Sequence, residues 1–183
     1  MAGLASRKPA LSLKGRALQW LAQREYSRAE MRRKLLAQGR ALSVQGATTG
    51  ADAEDAPADL QAEVEAVLDW LAANHHLCEE RFVESRVHAR AARYGNLRIR
   101  QELAQQGLDL PADAAQALKS SELERARAVW QRKFTAGPVS AAERARQQRF
   151  LAGRGFSADV IHQLLRSVPR AAEGAARNVD SEG

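Results

Sequence analysis

Apolar side chains recur along this chain at three- and four-residue steps, and alternating runs are absent. From Leu13, the positions Ala17, Leu18 and Leu21 share one face of a helix. Ser27 follows, with Glu30 three residues on, a reciprocal capping pair that predicts a second helix start. That helix is expected to end at Gly39. Val64, Val67, Leu68 and Leu71 mark a third helix, with Asn74 near its end. The order then recurs. Phe82, Val83 and Val87 begin a helix closed by Tyr94-Gly95, residues 97–106 form the next, and Pro111 opens one running through Leu118. Leu123, Ala126, Trp130 and Phe134 give a further stripe; a turn at Gly137-Pro138 follows, then a helix capped by Ser140 with Glu143 behind it. After Gly155, Ser157 is expected to cap a last helix carrying Val160, Ile161, Leu164 and Leu165.

One twelve-residue pattern occurs three times, over residues 28–39, 96–107 and 144–155. Leu35, Leu103 and Leu151 hold one position in it and Gly39, Gly107 and Gly155 close it. A short amphipathic unit cannot bury its stripe alone, so neighbouring units must pack together. The fold expected is all-α: an elongated, curved array of three tandem three-helix repeats. Its parts are a mobile tail over 1–11, repeat one over 12–76, repeat two over 77–119, repeat three over 120–167 and a disordered tail over 168–183. Within repeat one, residues 41–58 lack periodicity and read as a flexible acidic insertion.

Composition sharpens the functional side. Good helix formers dominate, and the lone Cys78 has no internal disulfide partner. With no signal-peptide core in the first residues and no apolar run long enough for a bilayer, a cytoplasmic protein without a membrane partner is expected, as a monomer. The net charge is +6, but residues 41–60 hold four acids (Asp52, Glu54, Asp55, Asp59) and no Lys or Arg, so the rest stands at +10. A helical body that basic suits a polyanionic or acidic partner.

The ordered segments Tyr26-Ser27-Arg28-Ala29-Glu30-Met31-Arg32-Arg33-Lys34-Leu35, Glu79-Glu80-Arg81-Phe82, Tyr94-Gly95 with Ile99, Glu102-Leu103 and Gly107, and Arg149-Phe150-Leu151 with Arg154-Gly155-Phe156 resemble the RecX family of recombination regulators. The resemblance spans about Leu13 to Leu165 apart from the acidic insertion. It implies an array seated in the helical groove of the RecA filament on single-stranded DNA, lowering its ATPase, strand-exchange and co-protease activities and favouring disassembly, in recombination and SOS repair. Two departures stand out: the family keeps the turn after Gly39 short, and Cys78 stands where an acidic N-cap is usual.

The arginines Arg28, Arg32, Arg33, Arg81, Arg90, Arg93, Arg98, Arg100, Arg144, Arg146, Arg149 and Arg154 are the expected contact residues, because equivalent positions of a repeat array line up into a basic track. The resemblance implies the RecA filament as partner, with single- or double-stranded DNA as a further direct contact expected. A free-standing helix-turn-helix DNA reader and a peptide-binding scaffold are the competing readings; charge in all three repeats favours the distributed binder. Trp20, Trp70 and Trp130 sit within apolar stripes, which favours packing over base stacking. His75, His76, Cys78 and His88 lack a second ligand pair at metal-site spacing, so neither metal nor other cofactor is expected. No Gly-Lys dipeptide, G-x-S-x-G or H-E-x-x-H occurs, and a non-enzyme is expected.

Overall fold

A computed structural model describes residues 11–46 and 56–169. Eight α-helices lie among them: α1 (Leu13–Leu21), α2 (Arg28–Gly46), α3 (Ala56–Ala73), α4 (Glu79–Ala91), α5 (Asn96–Ala104), α6 (Ala112–Gln131), α7 (Ala141–Gly153) and α8 (Ala158–Ser167). Residues 1–10 and 170–183, most of the tails expected at 1–11 and 168–183, and residues 47–55 within the acidic insertion lie outside the described residues. No described helix is long and apolar enough to cross a membrane.

The chain forms two compact units, residues 1–84 and 85–183. In the first, α1, α2 and α3 pack together around Leu13, Ala17, Met31, Leu35, Val64, Leu68 and Leu71. These are the positions that the three- and four-residue spacing selects, and burying each of the side chains larger than alanine contributes about 1.5–3 kcal/mol. The Ser27 side chain caps α2 as expected, accepting from the Glu30 amide at 3.0 Å. Trp20 and Trp70 pack on the rim of this core, each beneath a lysine: Lys34 Nζ lies 4.2 Å from the Trp20 ring and Lys14 Nζ 3.1 Å from that of Trp70.

In the second unit Ala126, Val129, Trp130, Phe134, Leu151, Phe156, Ile161, Leu164 and Leu165 form the core of α6, α7 and α8. Here Ser140 caps α7, accepting from the Glu143 amide at 3.1 Å, and Glu143 accepts from the Val139 amide at 3.0 Å. The repeated leucines Leu35, Leu103 and Leu151 are all buried. At the fourth position of the twelve-residue pattern, where α2 and α5 carry Met31 and Ile99, α7 carries Gln147, which is also buried; its Oε1 accepts from Trp130 Nε1 at 2.8 Å and its Nε2 donates to the Ala136 carbonyl at 3.3 Å.

Four expectations need correction. Gly39 does not end α2, which continues to Gly46; Gly39 is instead a point of close approach, where a Cβ would fall 2.3 Å from Leu60 Cδ1 of α3. Gly107 and Gly155 do behave as helix-ending residues, with φ of +74° and +82°. The insertion is correspondingly shorter than 41–58, since α2 reaches Gly46 and α3 begins at Ala56. The third helix of repeat two and the first of repeat three are one continuous helix, α6, because no Gly, Pro or cap residue able to stop it acts between Leu118 and Leu123. Finally, the Ser157 side chain does not cap α8; its hydroxyl donates to Glu122 Oε2 at 3.4 Å.

Candidate binding surfaces and the network that positions them

The arginines divide by what holds them. Arg28 Nη2 donates to Glu65 Oε2 at 2.8 Å and to Asp69 Oδ1 at 2.7 Å, and Arg32 Nε meets Glu65 Oε1 at 2.5 Å, so α2 and α3 are tied by their own charges. The two carboxylates raise the Arg28 pKa, the hydrogen bond to Asp69 contributing most. Arg81 Nε pairs with Glu25 at 3.0 Å, which raises its pKa, while its Nη2 donates to the carbonyls of His75 and His76. His75 has a φ of +57°, and these bonds pin the turn after α3 in that sparsely populated conformation. Arg90 and Arg98 share Glu102, at 2.9 and 3.3 Å. Five of the twelve expected contact residues therefore serve first as internal braces.

Cys78 lies just ahead of α4, and its Sγ donates to Glu80 Oε2 at 3.0 Å; that bond lowers the Glu80 pKa. Among the described residues no group of three or more His, Cys, Asp or Glu side chains could hold a metal ion. The neighbouring His75 and His76 line a shallow depression with Leu18, Leu21, Glu25 and Arg81, and His76 stacks on Trp70 at 5.4 Å between ring centroids.

Elsewhere the cations face outward. Arg33, Arg93 and Arg100 are exposed, and Arg144 is half-buried. Arg146 and Arg149, three residues apart, share one face of α7 with Phe150. Together with Lys133 and Phe134, just past the end of α6, they line an open cleft of about 570 Å³. Its floor is aromatic: Phe134 and Phe150 meet edge to face at 5.3 Å, the Arg146 guanidinium lies 5.7 Å from the Phe134 ring, and that of Arg154 lies 4.8 Å from Phe150. Arg154 is also fixed by a 3.3 Å bond from Nη1 to the Arg93 carbonyl. Among the described residues no carboxylate pairs with Lys133, Arg146 or Arg149.

A buried polar knot that sequence reading missed joins α6 to the starts of α5 and α8. Glu122, 4% exposed on α6, accepts from the Asn96 amide at 3.1 Å and from Asn96 Nδ2 at 3.0 Å. On its other side stand the Ser157 amide and hydroxyl, both at 3.4 Å. One carboxylate thus faces the N-terminal ends of both α5 and α8, where a negative charge is favoured by the aligned peptide dipoles. Arg125 completes the knot through Asn96 Oδ1 at 2.5 Å and the carbonyls of Tyr94 at 2.8 Å, Leu118 at 2.9 Å and Ala91 at 3.2 Å. Burial pushes the Arg125 pKa down, against the opposing pull of Glu122. A signal existed: Glu122 interrupts the buried stripe Leu118, Ala126, Val129 and Trp130, where a charged side chain needs a partner.

Beside the knot the backbone closes up. The Gly95 amide donates to the Arg154 carbonyl at 2.9 Å and the Leu97 amide to that of Gly155 at 3.0 Å. A Cβ on Gly95 would stand 2.2 Å from the Gly155 carbonyl oxygen. The Tyr94-Gly95 and Arg154-Gly155-Phe156 segments are therefore two halves of one junction, which gives a physical reason for their residue types.

Comparison with known proteins supports the same organisation. Residues 79–118 match the second three-helix domain of RecX, and residues 120–165 match the third. The "Regulatory protein RecX" of Leptothrix cholodnii is 51% identical over 166 residues, covering 89% of this chain and 93% of that protein. The protein of the same name from Ralstonia nicotianae is 43% identical over 157 residues (85% and 87% covered), and that from Pseudomonas syringae pv. tomato 41% identical over 160 (85% and 90%).

Proposed function

This chain belongs to the RecX family, an all-α group of regulatory proteins built from tandem three-helix domains, and from that premise we propose that it binds the RecA–DNA filament and lowers the filament's ATPase, strand-exchange and co-protease activities. The observation that carries the reading is the surplus of unneutralised cations on the second unit. Among the described residues Lys133, Arg146 and Arg149 meet no carboxylate, whereas Arg28, Arg32, Arg81, Arg90 and Arg98 do. Exposed like charges repel one another and gain little for stability, so retaining them suits a negatively charged partner. A nucleoprotein filament offers phosphates and acidic protein surface together.

Titrating the purified chain into a recombinase ATPase assay on single-stranded DNA tests this. A fall in rate at near-stoichiometric ratios is expected, and charge reversal at Arg146 and Arg149 should weaken it. An unchanged rate, with helical content demonstrated by circular dichroism, overturns the reading. A comparison across pairs adds discrimination: reversal at Arg32 and Arg33, or at Arg98 and Arg100, should weaken inhibition partly. One pair abolishing it with the others silent would point to a helix-turn-helix reader instead.

A further inference from the structure

We infer that Glu65 and Asp69 of α3 form an autoinhibitory clamp on Arg28 and Arg32 of α2, withholding two cations of the first unit from an anionic partner until the partner's own oxyanions displace them. The inference rests on the function proposed above for the identity of that partner, but the clamp itself stands on the first unit alone. Arg28 and Arg32 lie one turn apart on α2, and Glu65 and Asp69 one turn apart on α3, so the four groups interlock as two facing pairs. Arg28 Nη2 donates to Asp69 Oδ1 at 2.7 Å and to Glu65 Oε2 at 2.8 Å, and Arg32 Nε takes the other oxygen of Glu65. A carboxylate presents to a guanidinium the same pair of oxygens as a phosphodiester, so the clamp occupies these arginines as a ligand would.

Exposure separates the clamp from the other ion pairs. Glu25 and Glu102, which hold Arg81, Arg90 and Arg98, are 28% and 16% exposed, whereas Glu65 is 33% and Asp69 71% exposed. Water and salt screen so wet a pair, and it exchanges partners readily. Nor does the packing of α2 on α3 depend on it: Met31, Leu35, Val64 and Leu68 share one buried core, and Gly39 lets Leu60 approach closely. Exposed pairs add little to stability, so the main consequence of this one is electrostatic. Closed, the four groups sum to zero charge, and an incoming anion meets the repulsion of two carboxylates. A depression of about 220 Å³ lined by Arg32, Leu36, Gln61 and Glu65 gives an oxyanion space beside Arg32.

The test compares the Glu65→Gln/Asp69→Asn chain with wild type in two assays. One is inhibition of the recombinase ATPase on single-stranded DNA; the other is the salt concentration that elutes the chain from immobilised heparin, a polyanion probe that needs no recombinase. Both substitutions keep shape and remove charge. The variant should inhibit at roughly five- to thirtyfold lower concentration, the combined effect of three exposed ion pairs that no longer compete, and should elute at higher salt. Asp59→Asn/Glu63→Gln removes two exposed carboxylates of α3 outside the clamp and measures the effect of net charge alone, expected at about twofold or less in physiological salt. On an Arg28→Gln/Arg32→Gln background the clamp substitutions should gain no more than this control. Circular dichroism melts confirm folding, and Asp69→Asn alone, at the most exposed of the four groups, should give part of the gain if the double variant does not fold.

Equal gains for the clamp and control variants, or a gain that survives loss of both arginines, would overturn the inference and leave a general charge effect. Weaker inhibition by a folded clamp variant would overturn it too, and would assign the carboxylates a part in holding the partner. If no form of the chain inhibits the recombinase, the proposed function falls, and heparin elution still decides the clamp: a shift specific to Glu65 and Asp69 keeps it, and its absence removes it.

Discussion

Replacing Glu122 by glutamine should destabilise the second unit severely for so small a change. The side chain keeps its shape but loses its charge and presents an NH2 group where an oxygen now accepts. The donors around it are the Asn96 amide and Nδ2 at 3.1 and 3.0 Å, with the Ser157 amide and hydroxyl at 3.4 Å. The two longer bonds count for little. Each hydrogen bond to a charged group contributes about 1.5–3 kcal/mol, and removing one member of a buried charged pair costs about 3–5 kcal/mol. Arg125 keeps its carbonyl partners, which softens the loss, so about 2–3 kcal/mol is expected for Glu122→Gln and about 3–5 kcal/mol for Glu122→Ala. Urea titration followed by far-ultraviolet circular dichroism measures this. With a slope of about 1–3 kcal/mol per molar urea, the glutamine variant should move the midpoint by about 1 M or more. A double-mutant cycle with Asn96→Ala should show coupling above about 1 kcal/mol. A midpoint within about 0.3 M of wild type, or additive single effects, would refute the knot as a source of stability.

The Gly95–Gly155 junction predicts that Gly95→Ala, whose Cβ would meet backbone at 2.2 Å, costs about 3 kcal/mol, the upper end of ordinary overpacking, in the same urea assay. Gly107→Ala, in open space but at a φ of +74°, should cost only about 1–2 kcal/mol, and a reversed order would show that strain rather than contact governs both. Trp130→Phe removes the donor to buried Gln147 Oε1 and should destabilise by about 1–3 kcal/mol, with Trp130→Phe/Gln147→Leu recovering part of the loss. Replacing residues 47–55 by a short Gly-Ser link should leave the melting temperature nearly unaltered, because loop closure changes by only about 0.6 kcal/mol per doubling of length; a large cooperative loss would show that the segment contributes to the fold.

Helices, caps and cores were legible because their causes are local. A three- and four-residue stripe, a Ser followed by Glu three residues on, and a glycine reaching positive φ act within a turn or two of chain, which is why Ser27, Ser140, Gly107 and Gly155 could be read directly. Gly39 has the same sequence signature as Gly107 and means something else: its local conformation is ordinary helix, and the missing side chain makes room for Leu60 of another helix. The arginines show the same limit more sharply. Their spacing fixes which helical face they occupy, but whether a guanidinium is free for a partner depends on carboxylates far away in the chain. Arg28 meets Glu65 and Asp69 across two helices, whereas Arg146 and Arg149 meet Phe134 and Lys133 around an open cleft. Glu122 stands in the apolar stripe of its helix and so calls for a partner, but only the fold brings the N-termini of α5 and α8 to it. Sequence therefore determined the helices and the sum of their charge; only the packing of helices distant in sequence within each unit decided where that charge is cancelled and where it is left to face outward, because electrostatic neutralisation is set by distances in space of a few ångströms.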